Sequence, residues 1–275
     1  MKHKILYQIY RLLRKFVGRT LRWFRFTGFK YYCPLCRRYA RAFTPITVYP
    51  GQPTIDKYQI IAMGKNPHYR CPWCNSSDKE RLVWAYLQFK TDFLTTTRPL
   101  SVLHVAPEKN TKNYFKGRPS VTYIAGDKFE GAEKYTSEHY GGAQYLDITN
   151  MGEFKNETFD LIICNHVLEH VLDDKRGMRE IYRVLKKGGV AVLQVPISKL
   201  ITQNIEDPRA HTPEKRTIAF GQDDHVRIYA EEEYLERLRE SSFLVLVYPV
   251  QEILLEKNIE LWGVNERESV YVATK

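Results

Sequence analysis

From Leu100 to Thr274 the chain alternates short apolar runs with polar stretches of helical pattern, and this alternation constrains the fold most. The runs are Leu100–Ala106, Val121–Gly126, Ala143–Ile148, Phe159–Cys164, Val190–Val195, Phe243–Val250 and Ser269–Thr274. Between them lie helical segments at Lys109–Lys116, Asp174–Lys186 and Glu231–Ser241, the second stopped by Gly188-Gly189. Strands that are apolar at successive positions are buried on both faces. That is the condition of a mostly parallel sheet covered by helices, so an α/β fold is expected.

Upstream the chemistry changes. Cys33-Pro34-Leu35-Cys36 and Cys71-Pro72-Trp73-Cys74 are two tight thiolate pairs separated by 34 residues. Four soft sulfur ligands suit tetrahedral zinc, and a site filled by protein sulfur leaves no open position, so the zinc expected on Cys33, Cys36, Cys71 and Cys74 is structural. The long spacing predicts that the insert carries its own hairpin. A redox role for one pair is the alternative. Cys164, alone at a strand end, reads as a buried core thiol. Ser77 with Glu80 forms a capping-box pattern, opening a helix from Ser77 to Phe89.

Residues 1–27 read as a basic amphipathic helix. Ile5, Ile9, Leu12, Phe16 and Val17 repeat at helical spacing among Lys and Arg, and Trp23, Phe24 and Phe26 follow. This pattern suits an anionic membrane surface, or a helix packed on its own domain. Twelve Lys and Arg and no acid precede Asp56, whereas 30 basic and 32 acidic residues follow. The net charge of +10 therefore belongs to the arm and the first Cys pair. No run reaches the ~18 apolar residues of a spanning helix, and the N-terminus makes a poor signal peptide, so a cytoplasmic protein is expected, with peripheral attachment to the inner membrane face as an option. The expected division is 1–27 arm, 28–98 zinc-knuckle module with linking helix, and 99–275 α/β domain.

In open α/β sheets ligands bind beyond the carboxyl ends of the strands. The first strand is followed by Ala106-Pro107-Glu108. The second ends at Asp127, the third at Asp147, and the fourth at Cys164-Asn165-His166. A carboxylate after the second strand can accept from ribose hydroxyls, and one after the third from an adenine amino group.

The segment from Phe159 to Val171, FDLIICNHVLEHV, and the segment from Glu180 to Gly189, EIYRVLKKGG, resemble class I S-adenosylmethionine-dependent methyltransferases of the type 11 group. The resemblance runs over residues 100–275. It implies a Rossmann-like seven-stranded sheet and an S-adenosylmethionine cofactor. It also implies Asp127 at the ribose, Asp147 by the adenine and Asn165 lining the cleft. The family's first loop usually reads acidic-x-Gly-x-Gly, whereas here His104 takes the acidic position, Ala106 the first glycine and Glu108 the second. Loss of glycine removes positive-φ freedom and close backbone approach. Either Glu108 meets the cofactor's amino group in a reshaped loop, or cofactor binding is weakened or lost. The loop is similar to His-x-Ala-Pro-Glu loops of bacterial methyltransferase-like proteins that also carry Cys pairs.

Ile197 to Tyr229 is too long for a simple connection. Within it, Gly221 to Arg227 is the candidate acceptor segment, or else a loop tied by an Asp224–Arg227 pair. His225 and His170 are candidate general bases, and His170 also reads as a satisfied helix-end histidine. His166 lies nearer the cleft by position. The leading expectation is transfer of a methyl group to an oxygen or nitrogen of a small-molecule, glycan or lipid-linked acceptor. A zinc-assisted RNA methyltransferase is a second reading, supported by Arg37, Arg38 and Arg41 and opposed by the near-neutral α/β domain. A third is a non-enzymatic adaptor with a degenerate fold.

Overall fold

The computed structural model describes residues 20–128 and 143–275. The first 19 positions, which hold most of the expected arm, lie outside the described residues. Residues 20–26 are helical (α1). The Cys-bearing part follows as β1 (Tyr31–Cys33), β2 (Arg38–Ala40), β3 (Thr44–Ile46), α2 (Gln52–Tyr58), β4 (Asn66–Arg70) and α3 (Asp78–Phe89). The α/β part comprises β5 (Leu100–Val105), α4 (Lys109–Lys116), β6 (Val121–Asp127), β7 (Gln144–Tyr145), β8 (Phe159–Asn165), α5 (Asp174–Val184) and β9 (Leu185–Gln194). It continues with β10 (Ile197–Ser198), α6 (Pro213–Phe220), β11 (Tyr229–Ala230), α7 (Glu231–Glu240), β12 (Leu244–Pro249), α8 (Val250–Ile253), α9 (Glu256–Trp262) and β13 (Ser269–Thr274).

Seven strands form one sheet in the order β12-β13-β9-β8-β5-β6-β7. Six run in the same direction, and only β13 is reversed, lying antiparallel to both its neighbours. The order reverses direction between β5 and β8, so a crevice opens where their carboxyl ends diverge. The period-two geometry of strands distributes the apolar runs between two cores. Ile162 and Cys164 face α5 and α7, packing with Ile181, Val184, Tyr234 and Leu238. Leu161 and Ile163 face α3, α4, α8 and α9, packing with Leu82, Phe115, Ile253 and Trp262. The α/β sheet read from the sequence is thus present, with all seven strands. Burial pushes the Cys164 thiol up, as befits a core position.

Three local expectations change. The helix expected to reach Lys186 stops at Val184, and β9 starts at the buried Leu185. Gly188, at φ +72°, sits inside the strand at a register irregularity opposite Phe159 and Leu161, so the glycine pair serves a bulge and not a helix stop. The third strand shrinks to Gln144–Tyr145 because Leu146 and Ile148 turn into the core. Finally, Ser77 caps α3 through Glu80 N at 3.1 Å, but Glu80 does not return the bond. Its carboxylate accepts instead from Asn110 N, Thr111 N and Thr111 Oγ1 at the start of α4.

The Cys-bearing part is riveted to the sheet. Helix α3 packs in the core of the α/β part, and from it Arg81, wholly buried, donates to the carbonyls of His68, Ser76, Trp262 and Gly263 at 2.5–3.0 Å. Its guanidinium lies over Phe43, 4.2 Å from the ring centre. Arg81→Met strands these buried acceptors, so a loss of about 3–5 kcal/mol is expected. In thermal melting this would read as a drop of roughly 6–20 °C. The 34-residue insert between the Cys pairs is more than the hairpin expected: β3 and β4 pair antiparallel, but α2 lies between them and packs on α6. Gly51 allows that approach, since a Cβ there would lie 1.9 Å from Gly221 O.

Candidate active site

At the carboxyl end of β5, Ala106 takes the left-handed conformation at φ +47° where the resemblance has glycine. The turn aims the next side chains back toward the sheet. Glu108 Oε2 lies 2.6 Å from His104 Nε2, and Asn165 Nδ2 donates to Glu108 Oε1. His104 is fully buried, with Nδ1 3.0 Å from Tyr123 OH. It therefore supports Glu108 from behind and does not face the crevice. Burial raises the Glu108 carboxyl, but the His104 and Asn165 hydrogen bonds outweigh it and hold the group below the usual carboxylate range. Asn165 is itself buried, and its Oδ1 has no partner among the described residues. The bond to Glu108 fixes this amide's orientation, since a flipped amide would set two acceptors face to face.

The structure thus joins His104, Ala106, Glu108 and Asn165 in one place. Asp127 closes β6, half-buried, and desolvation raises its carboxyl. No side-chain donor reaches it among the described residues, so it can still accept. Asp147 differs. Its Oδ1 accepts from Thr149 N and Thr149 Oγ1, and its Oδ2 lies 2.7 Å from Lys128 Nζ. That carboxylate is committed to the turn after β7.

Beyond β8 the backbone turns sharply, with His166 at φ +57°, into a short 3-10 turn at Leu168–His170. Glu169 N-terminal to His170 is buried at the centre of a second group. His225 arrives from the acceptor segment because Val226 N donates to Glu169 O at 2.9 Å. The His170 and His225 rings meet edge-to-face, with centres 4.6 Å apart. His170 Nδ1 lies 3.3 Å from Asp224 Oδ2, and Asp224 is held by Gln222, which Tyr49 of the Cys-pair insert holds in turn. Burial lowers His170, but Asp224 outweighs it and keeps the imidazole above its usual range. Burial pushes His225 down to about 4. Arg227 does not pair with Asp224. It donates to the carbonyls of Leu168, Val171 and Leu172 and pairs with Glu206, so it braces the turn carrying Glu169 and His170. A cleft of about 390 Å³ opens alongside, lined by Tyr49, Lys79 and Gln222 among others.

Residues 110–193 match the family model described as Methyltransferase domain. From α4 to β9, therefore, the chain resembles a methyltransferase domain. No curated protein matches the chain. Similar solved structures include the carbon methyltransferase CurJ, at 19% identity and TM-score 0.44, covering 70% of this chain and 53% of that one. The cyclase SpnF matches at 15% identity and TM-score 0.46, over 71% and 79% of the two chains. An S-adenosylmethionine-dependent methyltransferase from Archaeoglobus fulgidus matches at 14% identity and TM-score 0.46, over 74% and 96%. The chain spans about half the length of CurJ.

Against the α/β part sit the four cysteines. Cys33 and Cys74 sulfurs are 3.6 Å apart, Cys36 and Cys71 sulfurs 3.8 Å, and all four lie within 4.8 Å of one another. A disulfide needs ~2.05 Å. Zn–S bonds of ~2.3 Å in a tetrahedron put sulfurs about 3.8 Å apart, so the spacing fits a four-thiolate metal site. Ser76 Oγ lies 3.2 Å from Cys33 and 3.3 Å from Cys74, an outer partner for two thiolates.

Sequence reading passed over two residues of the second group, beyond β8. Glu169 is one; its signal was the His166-x-x-Glu169-His170 spacing, which sets all three on one face of a helical turn. Lys79 is the other, 3.2 Å from His166 Nδ1 across 87 residues of sequence, a contact without local signal.

Proposed function

We propose that the methyltransferase domain moves a methyl group from S-adenosylmethionine to an oxygen or nitrogen of a small or glycan-type acceptor. The observation that carries this reading is the buried, unpartnered Asn165 Oδ1 beside an ionised Glu108 at the switch point. Two acceptors of this kind fit an ammonium group, which the methionine end of the cofactor offers. Asp127, which meets no side-chain donor among the described residues, fits ribose hydroxyls. When bound, S-adenosylmethionine supplies a methyl already activated on a sulfonium, so orientation accounts for much of the rate, up to ~7–11 kcal/mol. His170 and His225 would serve the acceptor, since an imidazole can take a hydroxyl proton. Zinc on Cys33, Cys36, Cys71 and Cys74 would hold the insert whose Tyr49 supports Gln222 and Asp224.

The test is release of S-adenosylhomocysteine from the full chain supplied with fractionated small-molecule, glycan and RNA acceptors. Turnover confined to the first two classes supports the reading, and turnover with RNA alone overturns the acceptor class. A lipid-linked acceptor is favoured by α1, where Leu21, Trp23 and Phe24 are exposed beside Arg22 and Arg25. Exposed apolar side chains beside cations suit an anionic bilayer surface. Vesicles with anionic lipid are expected to retain the full chain and to release a chain lacking residues 1–27. Equal retention of both chains removes this arm of the proposal.

A further inference from the structure

We propose that Glu169, His170 and His225 bind a divalent cation distinct from the four-cysteine site, with open positions facing the acceptor. One carboxylate oxygen and one ring nitrogen from each histidine lie within 4.8 Å of one another, close enough to share an ion. Glu169 is only 1% exposed, and among the described residues neither of its oxygens has a hydrogen-bond partner. No Lys or Arg nitrogen lies within 4.0 Å of it among the described residues. A carboxylate so buried is costly to keep ionised unless a cation neutralises it.

The histidines are set up as ligands. Asp224 at His170 Nδ1 favours the proton there, and this leaves Nε2, 3.9 Å from Glu169 Oε1, with a free lone pair. A carboxylate behind the ligating imidazole is the usual outer partner of a protein metal site. His166 Nδ1 lies 3.3 Å from Glu169 Oε1 and also faces Lys79 Nζ. While it accepts from the lysine it cannot donate to Glu169, so the carboxylate stays unsatisfied. The backbone bond from Val226 N to Glu169 O fixes His225 at this place without any help from the side chains.

Two imidazoles and one carboxylate suit a borderline divalent ion such as zinc, cobalt, iron(II) or manganese, and leave coordination positions open. The site begins four residues beyond Asn165, in the turn that follows the carboxyl end of β8. If the methyl-transfer reading holds, the open positions would take oxygen atoms of the acceptor, and a bound hydroxyl would lose its proton more readily than a free one. The cation would then assume the part given above to a histidine base, and the acceptor class would narrow to oxygen nucleophiles.

Metal binding can be tested without cofactor or acceptor, so its failure is distinct from failure of the methyl-transfer reading. Full-length chain loaded with one zinc is titrated with cobalt(II) and followed by visible absorption. One further cobalt is expected, with bands lacking thiolate charge transfer. Glu169→Gln is expected to weaken this binding at least ~10-fold, and Asp224→Asn, at an exposed outer position, by about 10-fold with the fold intact. A folded wild type that takes no cobalt beyond the cysteine site overturns the proposal. So does undiminished binding by folded Glu169→Gln or, if that variant fails to fold, by Asp224→Asn.

Discussion

Cys71→Ser is expected to remove the zinc proposed for the four-cysteine site, and with it the order of the elements from β1 to β4. Structural zinc contributes ~10–16 kcal/mol of binding energy in small modules, and this energy is folding energy. The cluster of Tyr31, Ala40 and Phe43 around the cysteines is too small to replace it. Three consequences follow along the chain. The carbonyls of His68 and Ser76 leave Arg81, α2 loses its seat on α6, and Tyr49 releases Gln222. Hydrogen exchange should then quicken across β1 to β4, while β8, buried on both faces, stays protected. A chelator acting on wild type should give the same map. Methyl transfer should fall with it, because the wall beside Asp224 and His170 is built from the insert.

Glu108→Gln is expected to weaken S-adenosylmethionine binding by about 10- to 150-fold, the worth of one charge-assisted hydrogen bond of ~1.5–3 kcal/mol. The amide is isosteric and can still face Asn165 and His104, so the fold should persist. The charge is what disappears. Acid provides a second readout of the same group. The Glu108 carboxyl is held below its usual range in the folded state, so its stabilising contribution is complete above the unfolded value of ~4.3 and fades as pH falls through the folded value. The stability difference between wild type and Glu108→Gln should therefore narrow in acid, below about pH 4. Calorimetry of both chains across pH measures the two effects together.

The strands were legible because each apolar run had to be buried on both faces, and a parallel sheet under two helical layers meets that need. The strand-end groups were legible for the same topological reason: His104 and Asn165 lie at the ends of strands, and Glu108 just after one, that must end at one crevice. What the sequence hid was direction. Glu108 could have faced the cofactor alone; its inward bonds to His104 and Asn165 depend on the left-handed turn at Ala106. Asp147 has the right position after the third strand, yet Thr149 and Lys128 occupy its oxygens. Glu80 fits a capping box, yet it caps a different helix, because α4 starts beside it in space. The pairing of Glu169 with His225 was hidden for another reason. It spans 56 residues and is made by a backbone bond that no side-chain pattern records. Gly188-Gly189 shows the limit of local rules, since the same pair can end a helix or bulge a strand, and the burial of Leu185 decides between them.

The central claim is that the crevice between β5 and β8 still holds S-adenosylmethionine although its first loop lacks the glycines. Titration calorimetry of the full chain with S-adenosylmethionine and with S-adenosylhomocysteine tests this most directly. The expected result is one ligand per chain for both compounds, with dissociation constants between about 1 μM and 1 mM, the range of working enzyme sites. A folded chain that gives no binding heat with either ligand at millimolar concentration would contradict the claim and leave the domain as a scaffold.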